Sequence, residues 1–158
     1  MRQTAAVTLY TRADCPLCEK AKDALRKSGA AIELTEVDID ADPELRARYT
    51  NDVPVIHVNG AEAFRHRVDP KLFASYIEAG LSGWRVADGH HLEKSYTFSD
   101  FAQALAFTNR IGALANDLDH HPDIHLGWGK VTVATWSHDV GAITARDFRL
   151  AARIDQLG

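Results

Sequence analysis

Short β-branched runs alternate with amphipathic stretches along this chain, and the pattern changes character near residue 80. Val7–Tyr10 reads as a strand, followed by Cys15-Pro16-Leu17-Cys18 and a helix through Ala21 and Leu25 that stops at Gly29. Ile32–Ile39 is the next strand, and Asp42-Pro43 supplies a cap and a first-turn proline for a short helix to about Tyr49. Val53–Val58 forms a third strand, which Asn59-Gly60 turns toward Ala61–Phe64, and Asp69-Pro70 opens a helix through Phe73, Tyr76 and Ile77. The order is β-α-β-α-β-β-α, with both of the first crossovers long enough to join parallel strands.

Beyond residue 80, Trp84–Ala87 and Leu92–Phe98 read as strands joined at Asp88-Gly89, a hairpin signal. Ser99 or Asp100 caps the next helix, with Gln103 placed as in a capping box. Apolar positions then recur at Phe101, Ala104, Leu105, Thr108, Ile111, Ala115 and Leu118, widened by Phe107 and Leu114. Pro122 disfavours helical geometry at His121, so the helix ends at or before His120-His121. Gly127-Trp128-Gly129 marks a turn, and Val131–Trp136 is a β-branched return strand. Such a hairpin pairs residues whose numbers sum to about 257 and sets His138 roughly opposite Asp119, beside His120. Gly141 breaks the chain, and Thr144 with Asp147 caps a last helix through Phe148 and Ile154. Trp128 is expected to pack at the hairpin tip, His90 and His91 to be solvated, and Asp147 to be structural. No linker separates two domains of about residues 1–79 and 80–158.

Imidazole is the side chain whose unperturbed pKa, about 6.5, suits proton transfer near neutrality. Six of the eight histidines follow Gly80, and the pattern delivers several of them to one place. Three readings of that cluster stand: partly buried structural residues, a metal site from His120, His121, His125 and His138, or acid/base chemistry on a small molecule. The charge adds an exclusion. Lys+Arg against Asp+Glu is 11 to 13 over Met1–Gly80 and 7 to 9 over Leu81–Gly158, so neither half has the basic excess of a nucleic-acid binder. No apolar run approaches the roughly 20 residues of a membrane span. Met1-Arg2-Gln3-Thr4 lacks the apolar core of a signal peptide. A cytoplasmic protein is expected, in which Cys15 and Cys18 are reactive rather than a structural staple.

A CxxC between a first strand and a helix has a physical use. Unpaired amides and the helix dipole stabilise a thiolate at Cys15, which attacks, while Cys18 resolves the mixed disulfide. Arg12 adds positive potential there and Asp14 opposes it. The segment from about Val7 to Ala79 resembles the glutaredoxin-like branch of the thioredoxin superfamily. That resemblance implies a cis Val53-Pro54 bond facing the CxxC and a thiol substrate. Gly60-Ala61-Glu62 does not supply the Gly-Gly-x-Asp segment of glutathione users. Half of a zinc site, without a second cysteine pair, and an inactive scaffold are the competing readings.

His120-His121-Pro122, Trp128, His138 and Asp147 also keep a spacing that resembles the pterin-4a-carbinolamine dehydratases, together with Gly83-Trp84 and the runs Leu92–Phe98, Phe101–Phe107 and Asp147–Ile154. The resemblance covers Gly83–Asp155. It implies a four-stranded antiparallel sheet with helices on one side and loss of water from 4a-hydroxytetrahydropterin to give quinonoid dihydropterin. Carried over, His120 and His138 are the acid/base candidates and His121 binds pterin. No metal or redox cofactor is implied, and the pterin is the substrate, supplied by an enzyme such as a pterin-dependent hydroxylase. A symmetric homo-oligomer is implied as well. Many relatives carry an acid where this chain has Asn116. Two other classes stay open: a dimerisation or regulatory binding module with a vestigial site, and a thiol-disulfide oxidoreductase whose second half is an oligomerisation platform.

Overall fold

The structure, a computed structural model, describes residues 4–158. Met1-Arg2-Gln3, on which the signal-peptide reading partly rests, lies outside the described residues. The chain divides after Gly83 into two compact units. Among the described residues no helix is long and apolar enough to cross a membrane.

The first unit runs β1 (Ala5–Thr11), α1 (Pro16–Lys27), β2 (Ile32–Asp38), a single 3-10 turn (Ile39–Ala41), α2 (Pro43–Tyr49), β3 (Val55–Val58), β4 (Ala61–Arg65) and α3 (Pro70–Glu78). The sheet order is β2-β1-β3-β4. The helix starts follow from local chemistry: Asp42 and Asp69 each accept backbone N–H groups in the first turn, with proline at the first helical position. The first crossover joins parallel strands, as expected, but β3 runs antiparallel to β1. An antiparallel strand begins at the end where its predecessor finished, so the second crossover need not span the sheet, and the seven residues of α2 suffice. Val7 and Leu9 of β1 share one buried face with Ile56, Val58 and Phe64. Phe73 and Tyr76 of α3 pack their rings within 5.6 Å of Phe64. The Val53–Pro54 peptide is cis.

The second unit is β5 (Arg85–Ala87), β6 (His91–Thr97), α4 (Phe101–Leu118), β7 (Asp123–Leu126), β8 (Lys130–Thr135) and α5 (Ala145–Asp155). Its sheet is fully antiparallel in the order β5-β6-β8-β7. The β7–β8 register pairs Asp123 with Ala134 and Leu126 with Val131, the pairing that the turn at Gly127–Gly129 implies. The ladders put Leu92, Lys94, Tyr96, Ile124, Leu126, Val131, Val133 and Thr135 on one face. Both helices cover it: Tyr96 packs its ring 4.8 Å from Phe107 of α4, and Asp155 and Asp147 of α5 reach Tyr96 and Thr135. Asp155 accepts from Trp84 Nε1, Lys94 Nζ and Tyr96 Oη at 3.1, 2.8 and 2.5 Å. Burial, then Asp155, pushes the Tyr96 phenol well above its ordinary pKa.

Two expectations about packing need correcting. Trp128 is 74% exposed instead of packed. The turn backs onto the sheet through Gly129, whose carbonyl accepts from Phe98 N–H at 2.8 Å and where a Cβ would lie 2.7 Å from the Phe98 oxygen; the neighbouring indole extends into solvent. The buried stripe of α4 is Ala104, Phe107, Ile111, Leu114 and Ala115, leaving Phe101 and Leu105 each 40% exposed. The side chains given as widening the stripe are thus its centre.

Candidate functional site

The cavity is built at the end of α4. Asp119 takes a left-handed conformation (φ 51°), a role that Asp tolerates better than most residues. His120 N–H then returns to the Ala115 carbonyl at 3.1 Å. This sharp stop turns the His120 ring into the unit while His121 faces out. His138 arrives from the other direction, just beyond β8, where Ser137 and Ala142 form a bridge closed by a 2.9 Å backbone bond. A cavity of about 330 Å³ results, lined by Asp119, His120, His121, His138, Asp139 and Arg146. His125 is exposed and lies on the sheet face away from the helices, opposite Thr132. Among the described residues no three His, Cys, Asp or Glu side chains are grouped to hold a metal ion, so the four-histidine metal arrangement is not assembled.

Asp147 is the group whose function sequence reasoning understated. It completes the capping box of α5 with Thr144, as expected. It is also fully buried, and its Oδ1 meets His120 Nε2 at 2.6 Å and accepts from Thr135 Oγ1 at 2.6 Å. Its Oδ2 accepts from Ser137 Oγ at 2.8 Å and Thr144 N–H at 2.9 Å. Burial raises the pKa of this carboxyl, but the hydrogen bonds from His120, Thr135, Thr144 and Ser137 outweigh it and hold the value below the usual carboxylate range. An ionised Asp147 can only accept, so His120 Nε2 carries the donated proton, and in the neutral imidazole the lone pair is then on Nδ1. The available signal was an Asp three residues after a capping Thr, on a helix that packs beneath the strand leading to His138.

The other imidazoles are held differently. His121 Nε2 donates to Asn116 Oδ1 at 2.9 Å, so this amide provides an acceptor without charge. His138 is exposed and rests its ring 4.5 Å from that of Trp136. Of the two histidines read as solvated, His90 is exposed, as expected, while His91 is half-buried in β6; both rings lie within 5.9 Å of Trp136.

In the first unit Cys15 is the N-cap of α1 and accepts the Cys18 N–H at 3.2 Å. The two cysteines are joined in a disulfide, with Cα atoms 5.2 Å apart. Cys15 is half-buried and Cys18 fully buried, within a cluster of Ile39, Tyr49, Val53 and Val55 flanked by Tyr10 and Leu45. Arg12 does not turn a free charge toward Cys15: its guanidinium holds Asp40 at 2.6 and 3.1 Å and donates to the Thr50 carbonyl. Tyr49 Oη and His57 Nε2, 3.3 Å apart, form a polar edge to this cluster that the sequence did not announce.

The architecture defines the class first: a thioredoxin-like α/β unit followed by an antiparallel α+β unit that carries a histidine-lined cavity. Residues 67–157 match the sequence model of the family described as pterin 4 alpha carbinolamine dehydratase, and residues 6–78 match that of the glutaredoxin-like domain. The chain belongs to the pterin-4a-carbinolamine dehydratase family and carries a glutaredoxin-like domain before it. A Rubrobacter xylanophilus protein named "Putative pterin-4-alpha-carbinolamine dehydratase" is 46% identical over 77 residues, covering 49% of this chain and 72% of that protein. A protein of the same name from Alkaliphilus metalliredigens is 41% identical over 81 residues, covering 51% and 73%. A transcriptional coactivator/pterin dehydratase from Brucella melitensis is a similar solved structure, 30% identical, covering 51% of this chain and 88% of its own, with a TM-score of 0.48.

The carboxylate network yields a stability prediction. A depressed carboxyl pKa contributes stability that is present above the unfolded value, about 3.9, and lost as pH falls through the lower folded value. Asp147→Ala should cost about 3 kcal/mol at neutral pH, because three side-chain donors and one amide lose their acceptor. It should also flatten the stability loss below about pH 4. Urea unfolding followed by circular dichroism between pH 3 and pH 7 measures both, and an unchanged midpoint would remove Asp147 from its place in this account.

Proposed function

We propose that residues 80–158 dehydrate a 4a-hydroxytetrahydropterin to the quinonoid dihydropterin by histidine acid/base catalysis. The observation that supports this most is the convergence of His120, His121 and His138 on one cavity, with an ionised carboxylate behind His120. In this reading His120 Nδ1 takes the N5 proton, the freed electron pair forms the C4a=N5 bond, and the C4a–O bond breaks. His138 protonates the departing hydroxyl, so water leaves. Asp147 stabilises the imidazolium formed at His120, and His121 binds the pterin. The pterin is the substrate and no cofactor takes part. A pterin-dependent hydroxylase is the kind of enzyme that supplies it.

His120→Ala and His138→Ala should each lower kcat by about 10²–10⁴-fold, the usual contribution of a positioned acid or base. His121→Ala should chiefly raise KM. The measurement is a dehydration assay on 4a-hydroxytetrahydropterin. Full activity in the His120→Ala/His138→Ala double variant would defeat the assignment and favour a binding module with a vestigial site.

The same chain presents Phe101 and Leu105 on the outer side of α4, which supports the proposal of a symmetric homo-oligomer. Light scattering at micromolar concentration should give a multiple of the 17.4 kDa chain mass, and a monomer rejects it.

For residues 1–79 the proposal is dithiol exchange with a thiol substrate. Cys15, at the helix start with amides around it, attacks, and buried Cys18 resolves. After mild reduction, a limiting dose of alkylating agent should label Cys15 well before Cys18, and Cys15→Ser should abolish exchange with a model dithiol. Equal labelling would make this unit a scaffold.

A further inference from the structure

His138 lines the cavity, yet no other described residue hydrogen-bonds it, and its one ring contact is Trp136. An exposed imidazole with only a turn behind it would sample several rotamers. Here the turn itself is fixed: Ser137 binds the Ala142 carbonyl through its N–H and Asp147 through its hydroxyl. What remains to be set is the ring. The indole meets it at 4.5 Å and 74°, an edge-to-face arrangement that aromatic rings favour and that fixes the imidazole against one side of the indole.

Trp136 is in turn braced from the neighbouring strand. Leu92 pairs with Thr135, so His91 falls opposite Trp136 one step further along. The rings of His90 and His91 lie 5.1 and 5.9 Å from the indole. His90 Nδ1 and His91 Nδ1 are 3.2 Å apart, and His91 Nε2 reaches Glu93 at 3.3 Å. A continuous row therefore runs Glu93, His91, His90, Trp136, His138, ending at the cavity. On the cavity side the titratable neighbours of His138 are Asp119, His120, His121, and Asp139, which pairs with Arg146 at 2.7 Å. None of them is placed to orient the ring by a hydrogen bond.

We propose that Trp136 is the positioning residue for His138, holding its imidazole toward the cavity, with His90 and His91 as the brace. This rests on the acid role given to His138 above, and it adds a residue that touches no substrate. A misplaced proton donor lowers the rate of the chemical step and leaves ground-state binding intact.

The test uses the full chain with Trp136→Ala and Trp136→Phe, both checked for native circular dichroism. Trp136→Ala should lower kcat on 4a-hydroxytetrahydropterin about tenfold or more with KM changed less than about twofold. Trp136→Phe should recover most of the loss, because a phenyl ring can keep an edge-to-face contact with the imidazole. The His138 ring protons, assigned by comparison with His138→Ala, should lose their ring-current shift in Trp136→Ala and keep most of it in Trp136→Phe. This NMR readout needs no turnover, so it separates the outcomes. An inactive wild type with the ring-current pattern intact would refute the dehydratase reading and leave the contact. An unchanged His138 spectrum, or a raised KM with kcat intact, would overturn the positioning role. If both variants misfold, His90→Ala/His91→Ala, which only loosens the brace, should give the same split in kcat at smaller amplitude, and its absence would also overturn it.

Discussion

Burying an ionised carboxylate costs several kcal/mol unless its lone pairs are met, and Asp147 meets that demand with four donors drawn from separate stretches of chain. Thr144 starts α5, Thr135 ends β8, Ser137 opens the turn to His138, and His120 follows α4. One side chain thereby fastens both histidine-bearing segments to the start of α5. The cavity exists because these ends are tied to one charge. The His120 tautomer is a by-product of the same arrangement.

The division of labour between burial and exposure follows from it. His120 is locked by a charged partner, His121 by a neutral amide, and His138 by a ring alone. Three imidazoles on one cavity thus receive three different sets of contacts, which is how identical side chains come to differ in orientation and in freedom to move.

Much of this was legible in the sequence. The hairpin register followed from two glycines and a β-branched run, because period-2 alternation leaves little choice once the turn is placed. The end of α4 followed from Pro122, and the order of elements in both units from their caps and breaks. What stayed hidden were contacts between residues distant in sequence. Nothing local tells Asp147 from an ordinary helix cap, or places Trp136 across from His91. The expectation that Trp128 packs fails because a glycine-flanked aromatic gives no direction; only the approach of Gly129 to Phe98 shows which residue of the turn faces inward. Arg12 was read by its distance along the chain from Cys15, whereas Asp40, 28 residues away, claims its guanidinium.

All three tryptophans of the chain, Trp84, Trp128 and Trp136, belong to the second unit. They occupy three settings: Trp84 buried with its indole N–H on Asp155, Trp136 among imidazoles, and Trp128 in water. Indole emission from the intact chain is therefore an optical signal of residues 84–158 alone, arising from one buried, one imidazole-flanked and one exposed ring. The dithiol unit has only tyrosines to report on itself. The second unit can therefore be followed by its own emission without cutting the chain or adding a label.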